Sequence, residues 1–204
     1  MHINIQIIKK NLSNTEYEDG SQMKWLIASD LHGSSYYCAL LLKALERESA
    51  DRLLFLGDIL YHGPRNELPQ GYAPKEVITM LNGIKDSMLC VKGNCDSDVD
   101  QMVLEFPIMA EYSLIPIGKN NLIFATHGDK YNMNNMPPIK KGDIILSGHT
   151  HVPSYTSGVG CHFINPGSLS LPKEGSCNSY ITFEDAVFTW KEIDGTLFKE
   201  FVYK

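Results

Sequence analysis

Gly148-His149-Thr150-His151 sets two imidazoles one residue apart. On an extended segment, side chains i and i+2 point the same way, so two neutral imidazoles there make a pair of metal ligands. Taken alone, the pair could equally be a chance occurrence in a surface turn. Three apolar runs elsewhere end in groups that would serve the same metal. The run from Met23 to Ala28 ends in Ser29-Asp30-Leu31-His32-Gly33, the run 53–56 in Gly57-Asp58, and the run 122–125 in Thr126-His127-Gly128. A further stretch, 87–91, leads into Lys92-Gly93-Asn94-Cys95-Asp96.

These endings deliver two carboxylates, one amide and four imidazoles: Asp30, His32, Asp58, Asn94, His127, His149 and His151. One ion does not use seven such ligands, whereas two divalent ions sharing a carboxylate do. Mixed His, Asp and Asn ligation suits manganese, iron, zinc or cobalt better than calcium or magnesium. Each motif is weak singly. Together, each at the end of an apolar run, they are specific.

The elements that must position these residues follow from periodicity. Ser34 or Ser35 can cap a helix running to about Ser49, with Tyr37, Leu40, Leu41, Ala44 and Leu45 at helical spacing. A strand at 52–56 completes a βαβ unit, so the first two strands are expected to be parallel neighbours. Residues 61–72 form a long loop dense in Gly and Pro, the kind that tends to be functional. Pro74 opens a helix over 74–81, followed by a strand at 87–91 and a short helix at 97–104. From Ala110 the pattern becomes short strands: 111–116, 121–126, 143–147, 152–156, 161–164, 179–183, 187–192 and 196–202. Asp194-Gly195 forms the last hairpin turn. Strand C-termini are where ligands collect in α/β sheets. The expectation is two sheets face to face with helices outside.

Composition bounds the function. The chain has 204 residues and a formal charge of −6, which argues against holding nucleic acid by bulk electrostatics. It does not exclude a small phosphate ester, because bound cations supply positive charge locally. No apolar run approaches the ~20 residues needed to span a membrane. Five cysteines without a C-x-x-C pair suit reduced thiols in a cytoplasm better than a disulfide framework. Residues 1–22 read as an extension or leader outside a single domain at 23–204.

The order D-x-H, GD, GN, H, GHxH resembles the calcineurin-like metallophosphoesterase superfamily over residues 23–204. The loop 57–66 and Asn165-Pro166-Gly167-Ser168 are similar to its YfcE-type phosphodiesterase subgroup. The resemblance implies an α/β fold, a four-layer α/β/β/α sandwich of two facing mixed β-sheets flanked by helices. It implies that Asp30, His32 and His151 take one metal, that Asn94, His127 and His149 take the second, and that Asp58 bridges them. A hydroxide between the ions would then attack the phosphorus of a small phosphodiester. Manganese is the first choice of ion, with zinc, iron or nickel as alternatives. A homodimer or higher homo-oligomer is also implied.

Two positions depart from the family pattern. Many members carry His directly after Gly-Asn, where it protonates the leaving group; here the residue is Cys95, and a thiol of pKa ~8.5 is a poorer acid near neutrality. Asp129 stands where relatives often have a second His. Arg65, through its guanidinium fork, and His62 are candidate phosphate contacts, against a plain loop role for both. Cys95 is also a candidate catalytic group, against a packed residue beside a ligand. His2 and His162 are bystanders, Cys38 and Cys90 are core residues, and 165–168 shapes a turn beneath the site. Two rival functions remain: a phosphomonoesterase or nucleotide phosphatase on the same metals, and a non-catalytic protein-binding scaffold of the same fold.

Overall fold

The computed structural model describes residues 23–204; the reading of 1–22 as an extension lies outside them. Three parallel strands come first among the described residues: β1 (Trp25–Ala28), β2 (Arg52–Phe55) and β3 (Met88–Cys90). Late strands complete their sheet. β9 (Ser179–Glu184) pairs antiparallel with β1, and β10 (Val187–Glu192) and β11 (Leu197–Val202) extend it, giving the order β11-β10-β9-β1-β2-β3. The second sheet is built from the segment between: β4 (Tyr112–Ile117), β5 (Asn121–Thr126), β6 (Ile144–Leu146), β7 (Ser154–Gly158) and β8 (Cys161–Asn165), in the order β4-β5-β6-β8-β7. Both sheets are mixed, as the sequence implied.

Alternation along the strands sorts the core. Ile27, Leu54, Ile181, Phe188 and Trp190 point from the first sheet towards Ile123, Ala125, Ile144, Leu146 and Ile164 of the second. Leu26, Ala28, Leu53 and Phe55 point the other way, onto the helices. Helix α1 (Ser35–Glu48) is capped by Ser34, whose hydroxyl accepts from Tyr37 N at 3.1 Å, and it buries Cys38, Leu41, Leu42 and Leu45. Helix α2 (Pro74–Asn82) starts at its proline and buries Val77 and Leu81. Among the described residues, the helices gather on this face. The outer face of the second sheet carries a smaller cluster, Ile145, Cys161 and Phe163, against Ile139.

Some boundaries differ from expectation. The helix expected at 97–104 is a single turn, α3 (Asp98–Gln101). Beyond it Leu104, Phe106 and Ile108 enter the core as irregular chain. The Gln101 amide substitutes for helix bonds there, donating to Leu104 O and Phe106 O and accepting from Ile108 N. A 3-10 turn, Lys85–Ser87, precedes β3. The strand expected at 152–156 starts two residues later, at Ser154.

Candidate metal centre

The C-terminal ends of β1, β2, β3, β5 and β6 meet at one edge, and each is followed by the residues singled out above. The His149–His151 segment is not extended, contrary to the sequence expectation. His149 has φ 66° and His151 φ 63°, and the two side chains join different groups. Asp30, His32 and Asp58 also have positive φ, at 56°, 49° and 59°. Non-glycine residues hold this conformation only when surrounding contacts over-determine it.

Those contacts are visible. Asp96 is buried, and its carboxylate accepts from Asp58 N (2.8 Å), Gly93 N (2.8 Å) and Ile59 N (2.9 Å), lashing the turn after β2 to the turn after β3. A Cβ on Gly93 would lie 2.1 Å from Asp58 Oδ1, so only glycine fits there. Ser168 and Ser170 donate to Asp30 O, and Asp30 Oδ2 accepts from His149 N at 3.1 Å. Asn165 donates to Gly148 O at 2.7 Å. The 165–168 segment thus supports the site from beneath.

The first group is Asp30, His32 and His151. His151 Nε2 lies 3.2 Å and His32 Nε2 3.6 Å from Asp30 Oδ1, and the two Nε2 atoms lie 3.2 Å apart. His32 Nδ1 donates to Tyr61 O (2.8 Å), and His151 Nδ1 donates to Leu171 O (2.6 Å). A carbonyl only accepts, so each ring carries its proton on Nδ1 and, when neutral, turns a bare Nε2 lone pair on the other. Asp30 Oδ1 is buried beside them with no hydrogen-bond partner among the described residues. Two lone pairs and an orphaned carboxylate oxygen around one point fit a bound cation.

In the second group, His127 Nδ1 donates to Leu56 O (2.6 Å). Its Nε2 lies 3.1 Å from Asn94 Oδ1 and 3.2 Å from His149 Nδ1. The neutral His127 nitrogen and the amide oxygen are both acceptors, so this point too fits a cation. Between the groups stands Asp58, whose Oδ2 lies 3.7 Å from His32 Nε2 and 3.5 Å from His127 Nε2 while Oδ1 accepts from Cys95 N at 2.8 Å.

In the metal-free chain these neighbours reset one another's protons. Burial opposes charge on Asp30, yet the His151 and His32 rings hold its carboxyl far below the usual carboxylate range. Burial likewise opposes charge on Asp58, and His127 holds it low. Burial resists a charge on His127, but Asp58 and Asp30 push it up to about 9. His149 moves down, through burial and the charge on His127. Burial, then Asp58 and Asp96, push the Cys95 thiol up to about 12.

A cleft of about 410 Å³ opens over the two groups. Arg65 and Cys95 line it, as do Asn66 and Lys173, which the sequence reading did not single out. His62 is not among the lining residues; its ring packs edge-on against Tyr61 (4.8 Å) and Tyr72 (5.3 Å). Asp129 is exposed. His162 stacks with Tyr155, lies tilted against Phe201 and is not among the residues lining the cleft. Asp96 left little local trace, because it acts on the backbone of Asp58 and Ile59, remote in sequence.

A model of the calcineurin-like phosphoesterase superfamily domain matches residues 23–185. Phosphodiesterase YfcE of Escherichia coli strain K12 is 43% identical over 168 residues, 82% of this chain and 90% of that protein. The solved structure of YfcE, described as a phosphoesterase from E. coli, superposes with a TM-score of 0.85 at 38% identity, covering 89% of this chain and all of the other. Wild-type Vps29 of Entamoeba histolytica, solved with zinc, shares the fold at a TM-score of 0.56 and 20% identity, covering 89% of this chain and all of its own.

Proposed function

The chain belongs to the calcineurin-like phosphoesterase superfamily, and from that premise we propose that it is a metal-dependent phosphodiesterase working with two divalent ions. The observation that carries this reading is Asp58 Oδ2, which faces His32 of one group at 3.7 Å and His127 of the other at 3.5 Å. A carboxylate oxygen set between two sets of unshared donors is what a pair of ions sharing one ligand requires. Asp30, His32 and His151 would hold one ion, and Asn94, His127 and His149 the other. The mixed set of imidazoles, carboxylates and an amide would accept manganese, the first choice here, or zinc, iron or nickel. Once bound, the ions supply an acidified water as nucleophile and charge to offset that growing on the phosphoryl oxygens.

The rest falls to the chain's own residues. The Nδ1 bonds to Tyr61 O, Leu56 O and Leu171 O hold three imidazoles with Nε2 facing inward. Asp96 keeps the Asp58 turn in register. Cys95 stands beside Asp58, where burial and that carboxylate push its thiol up in the metal-free chain, and a weak acid there suits diesters with good leaving groups. All five cysteines are free thiols, which supports a reducing cytoplasm. No helix among the described residues is long and apolar enough to cross a membrane.

The test is hydrolysis of bis-p-nitrophenyl phosphate by metal-stripped protein before and after adding Mn²⁺, with p-nitrophenyl phosphate in parallel. Diester hydrolysis that appears only with metal supports the reading. Faster turnover of the monoester would make the protein a phosphomonoesterase. No turnover with two ions bound per chain would leave a binding scaffold.

A further inference from the structure

The cleft holds two cations that the proposed reaction does not use. Arg65 and Lys173 both line it. Among the described residues, neither side chain has a hydrogen bond or an ion pair. Five other basic side chains do pair with carboxylates: Lys24 with Glu184, Arg47 with Glu48, Lys85 with Glu105, Lys130 with Glu111 and Lys191 with Glu48. In a chain of net charge −6, two cations left without a counter-ion beside the site concentrate positive potential there.

Both are carried on segments fixed to the metal-ligand candidates. His151 grips the turn bearing Lys173 twice: its Nδ1 donates to Leu171 O at 2.6 Å, and its carbonyl accepts from Lys173 N at 3.2 Å. Ser176 closes that turn, donating from Oγ to Lys173 O at 2.6 Å. His32 grips the segment leading to Arg65 through Tyr61 O at 2.8 Å, and Asn66 folds back onto His62 O at 2.8 Å. Gly63 sits so close to Cys95 that a Cβ would lie 3.2 Å from its sulfur. The facing rings of His32 and His151 therefore each back onto a segment that presents one cation to the cleft.

A phosphodiester carries one negative charge, which the ions held by the cluster already meet. We propose that Arg65 and Lys173 form a subsite for a second phosphate on the substrate, so that the favoured substrates are phosphodiesters bearing a terminal phosphate away from the scissile bond. Arg65 offers a planar fork to two of its oxygens, and Lys173 adds a compact charge. The proposal rests on the phosphodiesterase reading and names the substrate class for it.

Thymidine 5′-p-nitrophenyl phosphate and its 3′-phosphorylated counterpart share one scissile bond and one leaving group. With Mn²⁺-loaded protein, kcat/KM is expected to favour the phosphorylated ester by about tenfold or more, chiefly through KM. In the Arg65→Gln/Lys173→Met double variant that ratio should fall to about one. A ratio near one in the unaltered protein, or one that survives the double substitution, overturns the subsite. Calorimetry with thymidine 5′-monophosphate and thymidine 3′,5′-bisphosphate reads the same preference without turnover. Tighter binding of the bisphosphate that depends on both side chains, in a protein that hydrolyses neither ester, would defeat the phosphodiesterase reading and leave the subsite standing. Equal binding of the two nucleotides would defeat the subsite itself.

Discussion

At Asp58 the two carboxylate oxygens have separate tasks. Oδ1 is tied to the Cys95 amide, and Oδ2 faces both imidazole groups. Asp58→Asn keeps an acceptor for the amide and removes the charge, so kcat on the diester should fall by about 100-fold or more while Tm moves by only a few degrees. An active, fully metallated variant would remove the shared-ligand role. His127 makes a second prediction. Its pKa in the metal-free fold, about 9, lies above the unfolded value of 6.5. Its contribution to stability is therefore full below pH 6.5 and is lost as pH rises through about 9. Mn²⁺ needs that nitrogen bare, so its affinity should climb over the same window, and loading near neutrality should release about one proton from His127. Calorimetry in buffers of different ionisation enthalpy measures that release; a buffer-independent heat would contradict it. The ligand candidates were legible because each polar residue ends an apolar run. Their backbone was not, since nothing in a residue such as His149 or Asp30 announces a left-handed conformation. Such a conformation costs roughly 1–2 kcal/mol per residue and is imposed by distant contacts.

Among the elements, α1 is anchored at its last turn. Glu48 is buried there, accepting from Tyr180 OH at 2.7 Å and from Lys191 Nζ at 2.6 Å, so the helix is tied to β9 and β10. Burial opposes its charge, yet Lys191 and Tyr180 hold its carboxyl below the usual range. With a folded pKa below the unfolded 4.5, its contribution is present above that pH and fades as pH falls through the folded value. Glu48→Ala should cost about 2–3 kcal/mol in a urea titration at pH 7, and the difference from the unaltered protein should shrink in acid. A constant difference across pH would mean that lost packing, rather than the ion pair, explains it. The helices and strands were largely legible from periodicity. The short α3 was not, because Gln101 holds the chain from Leu104 to Ile108 irregular through side-chain bonds that no local pattern announces.

For the whole molecule, the candidate ligands come from both sheets: Asp30, His32, Asp58 and Asn94 follow strands of the first, His127, His149 and His151 strands of the second. Ions held there would clamp the sandwich across its layers. Removing them with a chelator should lower Tm, and Mn²⁺ at about 100 times its Kd should restore roughly 2.7 kcal/mol. Hydrogen exchange should slow together in the turns after β1, β2, β5 and β6. Protection confined to one sheet would argue against the clamp. Two facing sheets were legible from the change of rhythm after Ala110. The strand order was not, because β9 lies beside β1 in space while some 150 residues separate them in the chain, and local pattern carries no such pairing.

That pairing has a consequence during synthesis. β1 needs β9 on one side, and the whole second sheet is translated between them. A ribosome has therefore delivered every candidate ligand, through His151, before the strand that closes β1 exists. Until Ser179–Glu184 emerges, β1 shows an unpaired edge to its surroundings. The nascent chain is most exposed to wrong partners in that interval, and a chaperone or a pause in translation would protect it most there.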